Sequence, residues 1–89
     1  MLYMLINVTK PGLTGEQYAT VAQLANAFYE NVPEGIKLHG DWSANDRSRT
    51  FSLIEADSPD LLEVIQRPFQ GLVDIETVPV TAVTRWRSE

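Results

Sequence analysis

The order in which strand-like and helix-like segments follow one another constrains this chain more than any single residue does. Leu2 to Thr9 (LYMLINVT) is apolar and β-favouring, and Lys10-Pro11-Gly12 ends it with turn chemistry. Apolar residues occupy both parities of that run, which marks a central strand covered on both faces. Thr14, followed three residues later by Gln17, reads as a capping box that opens a helix. Tyr18, Val21, Ala22, Ala25, Phe28, Tyr29 and Val32 then recur at helical spacing as one apolar stripe, a pattern that ordinarily means core. Pro33-Glu34-Gly35 stops the helix. Ile36 to Ser43 alternates, which puts Ile36, Leu38, Gly40 and Trp42 on one face and Lys37, His39, Asp41 and Ser43 on the other. Residues 44–49 (ANDRSR) form a polar hairpin loop, and Thr50 to Ala56 is the partner strand. Ser58-Pro59-Asp60 starts a second helix with a cap residue, a proline at the first helical position and an acid near the positive end of the dipole. Leu61, Leu62, Val64 and Ile65 carry its apolar face up to Pro68, and Phe69, Leu72 and Val73 follow as a short irregular continuation. Residues 75–86 read as a long last strand, in which Pro79 marks an edge position or a bulge.

The resulting order is βαββαβ, the ferredoxin-like split βαβ arrangement. It predicts an α+β fold: a four-stranded antiparallel sheet with two helices on one face, in a single domain over residues 1–89. A chain of 89 residues buries roughly 60–65% of its unfolded surface, a modest core. With both helices on one side, the other sheet face is left open. The first strand and much of the last are too apolar to leave that face to water. The usual remedy is a two-fold dimer, here an α/β barrel of two sheets packed face to face. Trp86, between Arg85 and Arg87, is suited to anchor such a contact.

Charge narrows the partners. Twelve acidic against seven basic residues leave a net charge of −5, which argues against nucleic acid, whose affinity depends on Lys and Arg contacts to phosphate. The apolar run at residues 1–10 is too short for a membrane span and lacks the basic start of a signal peptide. A soluble cytoplasmic protein with no membrane association is expected. With one histidine and no cysteine, neither a disulfide framework nor a strong transition-metal site is expected, and no cofactor is implied. There is no phosphate-cradling glycine loop and no Ser/His/Asp arrangement with credible spacing.

Over residues 33–80 the chain carries Pro33-Glu34-Gly35-Ile36, Gly40-Asp41-Trp42, Arg49-Thr50-Phe51, Leu53, Glu55-Ala56-Asp57, Leu61-Leu62, Leu72-Val73-Asp74-Ile75-Glu76 and Val78-Pro79-Val80, preceded by Met1-Leu2-Tyr3-Met4. Together these residues resemble the DUF3303 family of small bacterial proteins. The chain departs from that pattern at Asp41, where serine is commoner, and at Ile65 and Phe69, where tryptophans are commoner. The resemblance implies a dimeric α/β-barrel domain whose wider relatives include monooxygenases, isomerases and cyclases. It carries no settled activity to transfer.

Six residues are candidates for a site. His39, the only histidine, could act as a general base, with Asp41 two positions along the same face to orient it. Asn7 interrupts an apolar strand and needs partners, since an unsatisfied buried amide costs about 1–3 kcal/mol. Tyr3 shares its parity, so the two could face one cavity. Trp42 could line a pocket wall, and Glu55, in line with Phe51 and Leu53, could serve as an acid or base of raised pKa. Each also has a plain structural reading: solvated strand face, satisfied amide, core aromatic, strand-end carboxylate. Arg47 and Arg49 could guard a pocket mouth. Two functions follow. One is a homodimer whose protomers bind a small apolar or aromatic metabolite, with cofactor-independent proton transfer as the chemistry these side chains could support. The other is a non-catalytic homodimeric structural or interaction module.

Overall fold

The turn and capping residues place the element boundaries. In the computed structural model, which describes residues 1–83, β1 spans Leu2–Thr9, α1 Gly15–Glu30, β2 Ile36–Ser43 and β3 Thr50–Ala56. α2 spans Pro59–Gln66, continues through a 3₁₀ turn at Arg67–Phe69, and is followed by β4 at Val73–Val80. The capping box of α1 is complete: the Gln17 N–H donates to Thr14 Oγ1 at 3.2 Å and the Thr14 N–H donates to Gln17 Oε1 at 2.8 Å. Pro59 opens α2, but Ser58 caps it by position only, because its hydroxyl makes no capping bond. Gly35 ends the α1–β2 connection at φ +85°, and a Cβ there would come 2.8 Å from Leu61 Cδ1. Both the left-handed backbone and the close approach of α2 require glycine.

The sheet is antiparallel with strand order β2-β3-β1-β4, so β1 is central and Pro79 lies on an edge strand. In the ladder, Tyr3 opposes Ile54, Leu5 opposes Ser52 and Asn7 opposes Thr50. These residues face the helices. Tyr3, Leu5, Ile36, Ile54, Ala56 and Leu62 form the buried core, with Phe28, Leu38, Leu61, Ile65 and Ile75 packed around it. α2 supplies Leu62 to that core, whereas α1 has no buried residue. The α1 stripe is therefore not core in the ordinary sense: α1 stands off the sheet and leaves space beneath it.

Two expectations about strands are corrected. The alternation of β2 breaks between Leu38 and Gly40, where a β-bulge puts an extra residue against β3. Beyond it, Asp41 opposes Ser52 and joins the helix face, while Gly40 and Trp42 oppose Leu53 and Phe51 on the open face. The Trp42 indole lies over Gly40, where any Cβ would collide with the ring. β4 starts two residues earlier than expected and leaves the ladder after Val80, so it is no longer than β1. The expected anchor Trp86 lies outside the described residues.

Candidate functional site

Because α1 stands off the sheet, a cavity of about 460 Å³ lies between them, within the size range of small-molecule sites. Its apolar wall comes from Leu5, Leu38 and Ile54 of the sheet, Val21 and Phe28 of α1, and Ile65 of α2. Its polar end lies toward the β2–β3 hairpin, where register brings Asn7, Thr50, Ser52 and Asp41 together from three adjacent strands. Asn7 Nδ2 donates to Thr50 Oγ1 at 3.0 Å and to Ser52 Oγ at 3.2 Å. Ser52 Oγ donates onward to Asp41 Oδ1 at 3.0 Å. From the last turn of α1, the Tyr29 hydroxyl donates to Asp41 Oδ2. The chain of bonds thus converges on one carboxylate and ties α1 to β2.

Among the described residues lining the cavity, Asp41 is the only acid. Burial pushes its carboxyl above the usual 3.8, against the smaller opposing pull of the Ser52 hydroxyl and the Trp42 backbone. Two capacities of the cluster remain unspent among the described residues: Asn7 Oδ1 as an acceptor and the Thr50 hydroxyl hydrogen as a donor. At the mouth stand Arg47, held at φ +63°, and Arg49. Neither makes an ion pair with a described residue.

The six candidates separate. Asn7 and Asp41 line this cavity. His39 and Glu55 instead lie on the open sheet face, where His39 Nε2 and Glu55 Oε1 are 3.0 Å apart beside a shallow depression that includes Leu2 and Leu53. The His39 hydrogen bond holds the Glu55 carboxyl below its usual value, the reverse of the shift expected for a buried acid. Trp42 is on the same face, 54% exposed. Tyr3 is buried in the core and its hydroxyl meets only the Met1 sulfur, at 3.5 Å. The structure does not bring His39 and Asp41 together, because the bulge puts them on opposite faces.

Tyr29, Thr50 and Ser52 complete the polar cluster and were not legible as site residues. Thr50 and Ser52 are small hydroxyls two apart in a strand whose other residues, Glu55 aside, are apolar, and that spacing was the available signal. Tyr29 offered none, since its place in the α1 stripe looks like core. Among the described residues no group of three or more His, Cys, Asp or Glu side chains could hold a metal ion. No described helix is long and apolar enough to cross a membrane.

These features define a small α+β domain of ferredoxin-like topology with one helix-covered cavity. The chain belongs to the family described as Domain of unknown function (DUF3303), whose model matches residues 1–88. No curated protein matches it.

Proposed function

We propose that this domain binds a small, largely apolar or aromatic metabolite in the cavity between α1 and the sheet. The observation that carries the proposal is the placement of one hydrogen-bonded polar cluster at the end of a mostly apolar space of about 460 Å³. Such a site takes an apolar body by desolvation and orients it through a few polar contacts. Here an acceptor at the ligand's polar end would take the Thr50 hydroxyl hydrogen, and a donor elsewhere on the ligand would meet Asn7 Oδ1. Asp41, with Tyr29 at its second oxygen, is the proton carrier that could support isomerisation or cyclisation chemistry. His39 has no part in it. The protomer associates with a second copy through its open sheet face.

The test uses N-phenyl-1-naphthylamine, a neutral dye that brightens in apolar cavities. It should brighten with the wild type and lose most of that gain with Ala25→Trp, which fills the space under α1. Equal brightening in the two proteins would put the dye on the open sheet face and overturn the cavity proposal. That outcome would favour an interaction module, for which the placement of His39, Glu55 and Trp42 on the open face is the supporting observation.

A further inference from the structure

Charge is unevenly placed around the cavity. The chain has a net charge of −5, yet two of its seven basic residues, Arg47 and Arg49, line this one cavity. Among the described lining residues they meet one carboxylate, Asp41, both oxygens of which already accept hydroxyl hydrogens, from Ser52 and Tyr29. Asp46, in the same hairpin but outside the lining, is held below its usual value first by its Ser48 hydrogen bonds and more weakly by the Arg49 charge. Of the other described cations, Lys10 Nζ is 2.6 Å from Asp74 Oδ1, Arg67 reaches Glu63 at 3.9 Å and His39 bonds Glu55. Lys37 makes no ion pair with a described residue and lies opposite Glu55 on the open face, away from the cavity. The hairpin is shaped by its own bonds. The Arg47 N–H donates to the Ala44 carbonyl at 2.8 Å, the Ala44 N–H donates to the Arg49 carbonyl at 2.9 Å, and the Ser48 N–H donates to Asp46 Oδ1 at 2.9 Å. None of these bonds uses a guanidinium. Two guanidinium groups, ten donor N–H bonds between them, are therefore left without an ion pair among the described residues. They share the cavity lining with Thr50, the one hydroxyl of the cluster whose hydrogen meets no acceptor among those residues.

From this juxtaposition we propose that the cavity selects an organic anion: an apolar, ring-sized body under α1, with a planar carboxylate head between the Arg47 and Arg49 guanidiniums and the Thr50 hydroxyl. The proposal rests on the cavity being the binding site, and it adds the chemical class of the ligand. A carboxylate suits the position because it accepts from a guanidinium fork at two oxygens and can accept the Thr50 hydroxyl as well. Asp41 lies two residues further along the ladder, opposite Ser52, where both its oxygens are held by their own donors and burial disfavours its charge. The head group thus meets the cations before it meets the acid.

Two probes of the same shape separate the charge from the cavity: 2-naphthoate and its neutral carboxamide, 2-naphthamide, each titrated calorimetrically into the full chain. The wild type should bind the naphthoate about five- to tenfold more tightly, the gain expected of charged contacts at a partly exposed mouth. The preference should shrink as salt is raised and should vanish in Arg47→Gln/Arg49→Gln, which removes the charges but keeps side-chain length at exposed loop positions. Naphthamide binding should be unchanged in that variant, which also shows that the variant is folded. If the two probes bind the wild type equally, the anion proposal fails while the cavity stands. If neither binds, both fail.

Discussion

At Asp41, burial and hydrogen bonding pull the carboxyl in opposite directions, and burial is the larger effect. The folded protein therefore holds the Asp41 proton more tightly than the unfolded chain does. A carboxyl raised in this way contributes stability that is complete below the usual 3.8 and is lost as pH rises through the raised folded value. Asp41→Asn cannot titrate, so the variant should gain on the wild type as pH rises through that window and then hold a constant difference. Urea unfolding of both proteins at a series of pH values measures the difference, in which the other carboxyls cancel. An opposite slope would mean that Ser52 and Tyr29 stabilise the ionised form more than burial opposes it. Glu55 has the reverse sign. Its carboxyl is lowered by His39, so its contribution is present above the usual 4.5 and disappears as pH falls through the lowered value. Two acids on opposite sheet faces thus answer pH in opposite senses, because one lies against a wall and the other beside an imidazole.

Of the secondary-structure elements, α1 is the one held least by packing. It has no buried residue; Phe28, packed at the margin of the core, and the Tyr29–Asp41 bond tie it to the fold near its end, and the capping box holds only its own first turn. Local stability follows burial, so α1 should open more readily than β1 or β3. Thr14→Ala removes one of the two capping bonds and should cost about 1 kcal/mol. In hydrogen exchange, that loss should appear as faster exchange along α1 with little change in the β1 and β3 amides. Uniform acceleration across the sheet would show instead that α1 opens only with the whole fold. The elements also show where sequence patterns are reliable. Both helix starts and the central place of β1 were legible, because a capping box, a proline at the first position and two apolar parities are local signals. The faces of β2 were not, because strict alternation assumes one residue per partner and the bulge at His39 and Gly40 breaks that count. One extra residue moved Asp41 into the cavity and left Trp42 outside it. Asn7 was found because a lone amide in an apolar strand has to be satisfied locally. Its partners depended on a register that only the folded sheet reveals.

The molecule as a whole leaves one sheet face without helices. Leu2, Met4 and Ile6 of β1 run down its middle, flanked by Leu53 and Phe51 of β3 and by Val78 and Val80 of β4. None of these side chains is fully buried, while Val8 and Trp42, on the same face, are 41% and 54% exposed. Four strands spaced about 4.8 Å apart, three of eight residues and one of seven rising about 3.3 Å per residue, present roughly 500 Å² in projection. That is of the order of the roughly 800 Å² each partner loses in a standard interface, so the whole face would be needed for association with a second copy. Its charged groups lie at opposite corners and are largely met within the protomer: Glu55 opposes Lys37 and bonds His39 at one, and Lys10 pairs with Asp74 beside Glu76 at the other, so the apolar middle is the part left to a partner. Met4 is at the centre, between Leu53 and Val78, where a charge would be buried against apolar side chains on assembly but hydrated in the monomer. Light scattering at low micromolar concentration should therefore show a dimer for the wild type and a monomer for Met4→Glu. Because the cavity lies on the opposite side of the sheet, naphthylamine brightening should survive in the variant and show that its protomer is intact. A monomeric wild type, or a Met4→Glu protein that stays dimeric, would remove this face as the seat of association, and a monomer that also lost the dye would make the two sides of the sheet one cooperative unit.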